Sequence, residues 1–153
     1  MAVVRLSFRT RVTSPASEVW AVVSTMDGVN AELRPLMRMT HPAHLSSLAD
    51  VEIAPGEVVA HSWLLAFGFL PIDRHALGLE RVYDGEGFDE ESTSWLQRRW
   101  RHERRILDHG DGTSTVTDDL TAEPRLSLLA PVLRRIVSAL FRHRHRQLAR
   151  RFG

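Results

Sequence analysis

The feature that most constrains this chain is a long two-stranded pattern followed by one terminal helix. Residues 95–107 and 113–122 alternate in character and meet at Gly110-Asp111-Gly112, a strong turn signal. Leu129, Val132, Leu133, Ile136, Val137, Leu140, Phe141 and Leu148 then recur at i, i+3, i+4 and i+7, which predicts an amphipathic helix over Ala130–Phe152, with Pro131 tolerable only at its start. A hairpin of that length must bury one face, and the helix supplies the partner. A sheet curled around one helix leaves room for a cavity.

The rest of the chain reads as elements that extend this sheet. Val4, Leu6 and Phe8 alternate with Arg5, Ser7 and Arg9, a strand with one wet side. Ser14-Pro15 opens a helix, with Ser14 as candidate cap, carrying Val19, Trp20, Val22, Val23 and Met26 until Asp27-Gly28 stops it. A second short helix over 29–33 ends before Pro35, and residues 36–40 form a short strand. Residues 57–69 predict a strand with Val59, His61, Trp63, Leu65 and Phe67 on its inner face. Residues 73–83 predict another, with His75, Leu77, Leu79 and Arg81 together. The acidic, glycine-containing run 84–91 reads as a solvated loop that offsets the neighbouring arginines.

At 153 residues the expectation is one domain, 1–153, with one core. Basic and acidic side chains nearly cancel to a net +1, which gives no reason to expect a nucleic-acid partner. The basic residues are all Arg. Cysteine is absent, which excludes disulfides, thiolate nucleophiles and Cys-based zinc sites. Arg5 and Arg9 interrupt any leader-like apolar run, and the apolar run 63–70 is too short to span a bilayer, so a cytoplasmic protein without integral membrane association is expected.

The order of elements resembles the START/Bet v 1-like (SRPBCC) superfamily, the helix-grip proteins that include polyketide cyclase/dehydrase-type members. The resemblance rests on Ser14-Pro-Ala-Ser-Glu-Val-Trp-Ala-Val-Val-Ser after the first strand, Trp100-x-His102, Gly112-Thr-x-Thr-Val-Thr-Asp118, and Leu140-Phe-Arg-His-Arg-His-Arg-Gln-Leu148. It covers nearly the whole chain. It implies an α+β helix-grip fold, a curved antiparallel sheet wrapped around a long C-terminal helix with two short helices after the first strand. It also implies a hydrophobic cavity between sheet and helix. Fold alone does not fix function, because the family includes carriers, receptors and cyclases.

Alternation places Trp100, His102 and Arg104 on the inner face of one late strand, with Arg98, and Val116 and Asp118 on the inner face of the next. A turn at Gly110-Asp-Gly pairs residues whose numbers sum to about 222, so Arg104 faces Asp118 and His102 lies diagonal to it; a turn one residue earlier gives a sum of about 220 and sets His102 opposite Asp118. Both registers keep the same faces inside. The candidate ligand-binding residues are therefore Trp63, Leu65, Phe67, Leu77, Leu79, Trp100, His102, Arg104, Val116, Asp118, Leu133 and Ile136.

The leading expectation is a carrier or sensor of a small hydrophobic molecule such as a lipid, polyketide or isoprenoid, with no cofactor. Burying about 250 Å² of ligand would contribute about 6 kcal/mol before the costs of association, so tight binding needs polar anchors. The alternative is an aromatic cyclase or dehydratase with His102 and Asp118 as catalytic candidates, an imidazole–carboxylate pair that moves a proton alpha to a carbonyl. A third reading uses the Arg/His-rich helix end, 142–151, on an anionic lipid or RNA surface. Arg144 falls on the buried stripe of the helix and must find a carboxylate or backbone carbonyls there. No metal site is expected: His143 and His145 lie about 200° apart around a helix, His41-x-x-His44 lacks further ligands, and the acidic run does not match a calcium loop.

Overall fold

The structure, a computed structural model, describes residues 2–153. Its strands are β1 (Val4–Val12), β2 (Met37–Met39), β3 (Ala60–Ala66), β4 (Leu70–Leu77), β5 (Leu79–Tyr83), β6 (Gly87–Ser94), β7 (Gln97–Asp108) and β8 (Ser114–Pro124). Its helices are α1 (Ala16–Val23), α2 (Met26–Leu33) and α3 (Ala130–Phe152). The strands form one curled antiparallel sheet in the order β1-β8-β7-β6-β4-β3-β2, with β5 also paired to β6. The helix-grip architecture expected from the sequence is the one observed, with α3 against the concave face beside α2 and β1. Among the described residues no helix is long and apolar enough to cross a membrane.

Helix starts and register follow from local chemistry. Thr25 caps α2 by accepting the Gly28 N–H, so this helix begins earlier than residue 29 and takes Gly28 into its first turn. Ser14 does not cap α1. Its hydroxyl donates to the Phe152 carbonyl, while Asp108 Oδ2 accepts the Ala16 N–H at 2.9 Å and satisfies the start of α1 from β7. The β7–β8 turn adopts the 222 register, which sets Arg104 opposite Asp118 and His102 opposite Leu120.

Three strands depart from expectation. The one expected over 73–83 is two, β4 and β5, divided at Gly78, and the β5 register shifts between Leu79 and Arg81, which leaves Arg81 exposed and off the face of His75, Leu77 and Leu79. In β3 the inner face is Ser62 and Leu64, not Trp63, Leu65 and Phe67. Trp63 packs on the outer wall, between the Arg74 guanidinium at 4.8 Å and the Trp95 ring at 5.1 Å. The register with β4 shifts between Leu64 and Leu65, and Phe67 sits with Gly68 at positive φ in the β3–β4 turn. Hydrophobic bulk misled the choice of face because an aromatic side chain is also stabilised on a wet wall by aromatic and cationic neighbours. The acidic run is likewise not a loop. Only 84–86 turn; from Gly87 the chain is β6, and Asp89 and Glu90 are buried.

The main core packs Val12, Val19, Trp20, Val23, Leu79, Phe88, Ile106, Val116, Leu148 and Phe152 at one end of the sheet. A smaller cluster of Leu120, Val137 and Phe141 lies towards the other end, with Trp100 and Leu133 against it.

Candidate functional site

Between sheet, α2 and α3 lies a cavity of about 200 Å³. Its walls are mainly apolar: Leu64, Leu77, Leu79, Phe88 and Trp100 from the sheet, Met26 and Leu33 from α2, and Leu133, Val137 and Phe141 from α3. Ile72, Leu96 and Ile136 line it and are also exposed, so they mark its mouth. An apolar cavity of about 150 Å³ takes up benzene, so this space suits a small ring system or a short chain. A second hollow of about 220 Å³ beside α2 and the end of α3 is lined by Val22, Val23, Leu148 and Phe152 and bordered by the charged Glu32, Arg150 and Arg151.

One side of the cavity is polar because the centre of the sheet carries His75, Glu90, Gln97 and His102 inward. Glu90 Oε2 accepts from His75 Nε2 at 2.6 Å and from Ser92 Oγ at 2.7 Å, and its other oxygen lies 3.8 Å from His102 Nδ1. Behind this wall runs a buried ion network. Arg104 donates to Asp118 through Nε and Nη2, both at 2.8 Å, and to Glu32 through Nη1 at 3.0 Å and Nη2 at 2.9 Å. Arg144 Nε reaches Glu32 at 3.2 Å, so Glu32 is the carboxylate that the misplaced charge on α3 requires. His102 Nε2 meets Asp118 Oδ1 at 2.7 Å, and His145 Nε2 meets Asp118 Oδ2 at 2.8 Å.

Each carboxylate of the network is held ionised by its partners. Burial alone would raise the Glu32 carboxyl, but the Arg104 and Arg144 guanidiniums outweigh it and hold Glu32 below the usual carboxylate range. Burial opposes ionisation of Asp118 too, yet Arg104 and His102 keep it well below that range. Burial would raise Glu90, but the His75 hydrogen bond and the neighbouring His102 imidazole overcome it and lower the carboxyl. His102 moves the opposite way: burial would lower it, but Asp118 and Glu90 raise it. Ionised Glu32, Asp118 and Glu90 thus face the Arg104 and Arg144 guanidiniums and a His102 imidazole shifted towards its charged form, so that no carboxylate is left unpaired in a region where unpaired charge is costly.

This geometry sorts the residues expected at the site. Leu77, Leu79, Trp100, His102, Leu133 and Ile136 line the cavity. Trp63, Leu65 and Phe67 do not, for the reason given by β3 above. Val116 belongs to the packed core, and Arg104 and Asp118 are fully enclosed behind the wall. Arg98 is exposed because the β7 register shifts between Gln97 and Arg99. The imidazole–carboxylate pair lacks a free acceptor for a substrate: each Asp118 oxygen holds two donors, and both His102 nitrogens face carboxylates. Sequence reasoning missed Glu32, His75 and Glu90. The need for a partner at Arg144 pointed to a carboxylate without naming it.

A curled antiparallel sheet that grips a long C-terminal helix over an apolar cavity defines a START/Bet v 1-like fold. The chain belongs to the family described as a domain of unknown function (DUF8410), whose profile matches residues 10–152. Solved structures agree on the fold. A START superfamily protein from Mycobacterium smegmatis superposes with a TM-score of 0.67 at 11% identity, over 97% of this chain and 96% of that one. Protein CV1439 from Chromobacterium violaceum gives 0.72 at 11% identity over 97% and 96%. Ara h 8.0201 gives 0.59 at 10% identity over 94% and 96%. No curated protein matches this sequence.

Proposed function

We propose that this protein binds a small hydrophobic molecule in the cavity between sheet and α3 and acts as its carrier or sensor in the cytoplasm. The observation that carries this reading is the cavity itself: about 200 Å³, walled by apolar side chains from three elements and open at Ile72, Leu96 and Ile136. The fold is one known to hold small hydrophobic ligands. A lipid fragment, a polyketide or an isoprenoid would fill such a space through apolar contact, with His75, Glu90, His102 and Gln97 as polar contacts at one wall. Native mass spectrometry of gently purified protein, followed by organic extraction, tests the proposal. A bound apolar compound is expected, or, from empty protein, uptake of the uncharged dye N-phenyl-1-naphthylamine. Protein that carries nothing and takes up no dye would overturn it.

A further inference from the structure

The surface around the cavity mouth is apolar beyond what the core requires. Ile72, Leu96 and Ile136 form the opening. Before Ile72 comes the β3–β4 turn, which carries Phe67 and Phe69 outward, the latter 75% exposed. Trp95 is exposed next to Leu96. The Arg125 N–H donates to the Leu96 carbonyl at 3.0 Å, which brings the segment before α3 to the same rim with Leu126 and with Leu128, 91% exposed. Single exposed apolar residues are ordinary, but large ones gathered around one opening mark an interaction surface.

The charge around this rim has one sign. Residues 36–38, 67–74, 95–98 and 125–136 contain one acid, Asp73, and it is buried, accepting the N–H groups of Arg74 and Leu96. Arg38, Arg98, Arg125, Arg134 and Arg135 are exposed there. Glu123, just upstream, faces Arg99 across the β7–β8 ladder. The whole chain is near neutral, so the excess is local. A second copy of the chain is a poor occupant, because in a two-fold dimer this patch meets itself and sets arginine against arginine. Nor is there one continuous groove for a peptide: the apolar side chains stand on separate turns and at the approach to α3. A bilayer with anionic head groups fits both features. Protruding Phe and Leu side chains enter the boundary between head groups and acyl chains, Trp favours that depth, and arginines lie against the phosphates.

We propose that the rim of the cavity docks on an anionic lipid bilayer, with Phe69 and Leu128 inserted and Arg38 and Arg135 against the head groups. The far end of α3, residues 142–151, stays out of the contact. The mouth then faces the bilayer, and an apolar guest passes between cavity and acyl chains without entering water. Docking itself needs no guest, so it is measured separately from ligand uptake.

The test is sedimentation of the protein with vesicles of phosphatidylcholine or of phosphatidylglycerol at physiological salt. Wild type is expected to bind phosphatidylglycerol at least about tenfold more strongly. Phe69→Ser with Leu128→Ser, and Arg38→Glu with Arg135→Glu, are each expected to weaken that binding at least about tenfold. Arg142→Glu with Arg146→Glu, further along α3, is expected to weaken it less than about threefold, because salt screens charges held away from the surface. All six side chains are exposed, so wild-type far-UV circular dichroism is expected throughout; if one rim variant fails to fold, the other decides. Equal binding to both lipids overturns the inference, as does an equal loss in the Arg142 and Arg146 variant, the mark of general attraction by a basic helix. Absence of wild-type binding, the result an acidic protein partner would give, overturns it too and leaves dye uptake by the cavity untouched.

Discussion

Replacing Arg104 with Met removes four hydrogen bonds of 2.8–3.0 Å, two to Asp118 and two to Glu32. Methionine fills much of the volume, so the change is chiefly one of charge. Glu32 would keep only the 3.2 Å contact from Arg144, and Asp118 would keep His102 and His145. Both carboxylates are almost completely shielded from water. Breaking a buried pair by removing one partner costs about 3–5 kcal/mol, because the remaining charge is desolvated and uncompensated. For a chain of this size that is a Tm lowered by roughly 6–20 °C. Urea unfolding at neutral pH, followed by circular dichroism, measures the loss directly. The cause is separated from lost packing by adding Asp118→Asn to Arg104→Met, which removes one carboxylate with the one cation and leaves Glu32 paired to Arg144. The double variant is expected to recover about half of the loss or more, since a paired buried set costs less than an unbalanced one. A single variant within about 1 kcal/mol of wild type, or a double variant less stable than the single, would refute the reasoning.

Thermal stability is expected to fall at both ends of the pH scale. The lowered carboxyls of Glu32, Asp118 and Glu90 give stability that is present above about pH 4 and lost as pH falls through their folded values. The raised His102 gives stability that is complete below about pH 6.5 and lost as pH rises through its folded value. His102→Asn is expected to flatten the alkaline limb of a Tm-against-pH series, and an unaltered limb would contradict the assignment. Gly87 has φ of +142°, and a Cβ there would meet the Arg104 carbonyl oxygen, so Gly87→Ala is expected to lose about 2–4 kcal/mol in denaturant unfolding. Trp63→Ala, on the outer wall, is expected to leave N-phenyl-1-naphthylamine affinity within about twofold while losing about 1–2 kcal/mol of stability; a tenfold loss of affinity would return Trp63 to the cavity.

The late hairpin was legible in the sequence because a glycine turn and strict alternation act together. The turn limited the register to two values, and the contact of His102 and Arg104 with Asp118 followed from either. Arg144 was legible for a different reason: a charge on an apolar stripe demands a partner wherever that partner lies in sequence. Strand β6 was hidden by its own polarity. Its inward residues include Glu90, Ser92 and Ser94, so a strand lining a polar wall lost the apolar alternation by which strands are recognised. His75 was placed on the correct face beside Leu77 and Leu79, but its pairing with Glu90 depends on a long-range contact between β4 and β6 that local pattern does not encode. In β3 alternation holds from Ala60 to Leu64, but the bulkiest residue, Trp63, lies on the outer face against Trp95 and Arg74, and the register shifts only after Leu64, so bulk pointed to the wrong face.

The central claim is that the space between sheet and α3 takes up an apolar guest. Titration of N-phenyl-1-naphthylamine into wild type and Leu133→Trp tests it most directly. Leu133 is half-buried on α3 and lines the cavity, so a larger ring there fills the space without disturbing the ion network. Saturable, one-to-one dye binding to wild type, weakened at least about tenfold in a Leu133→Trp variant of unchanged circular dichroism, is the expected result. Equal binding to both proteins, or no binding to either, would contradict it.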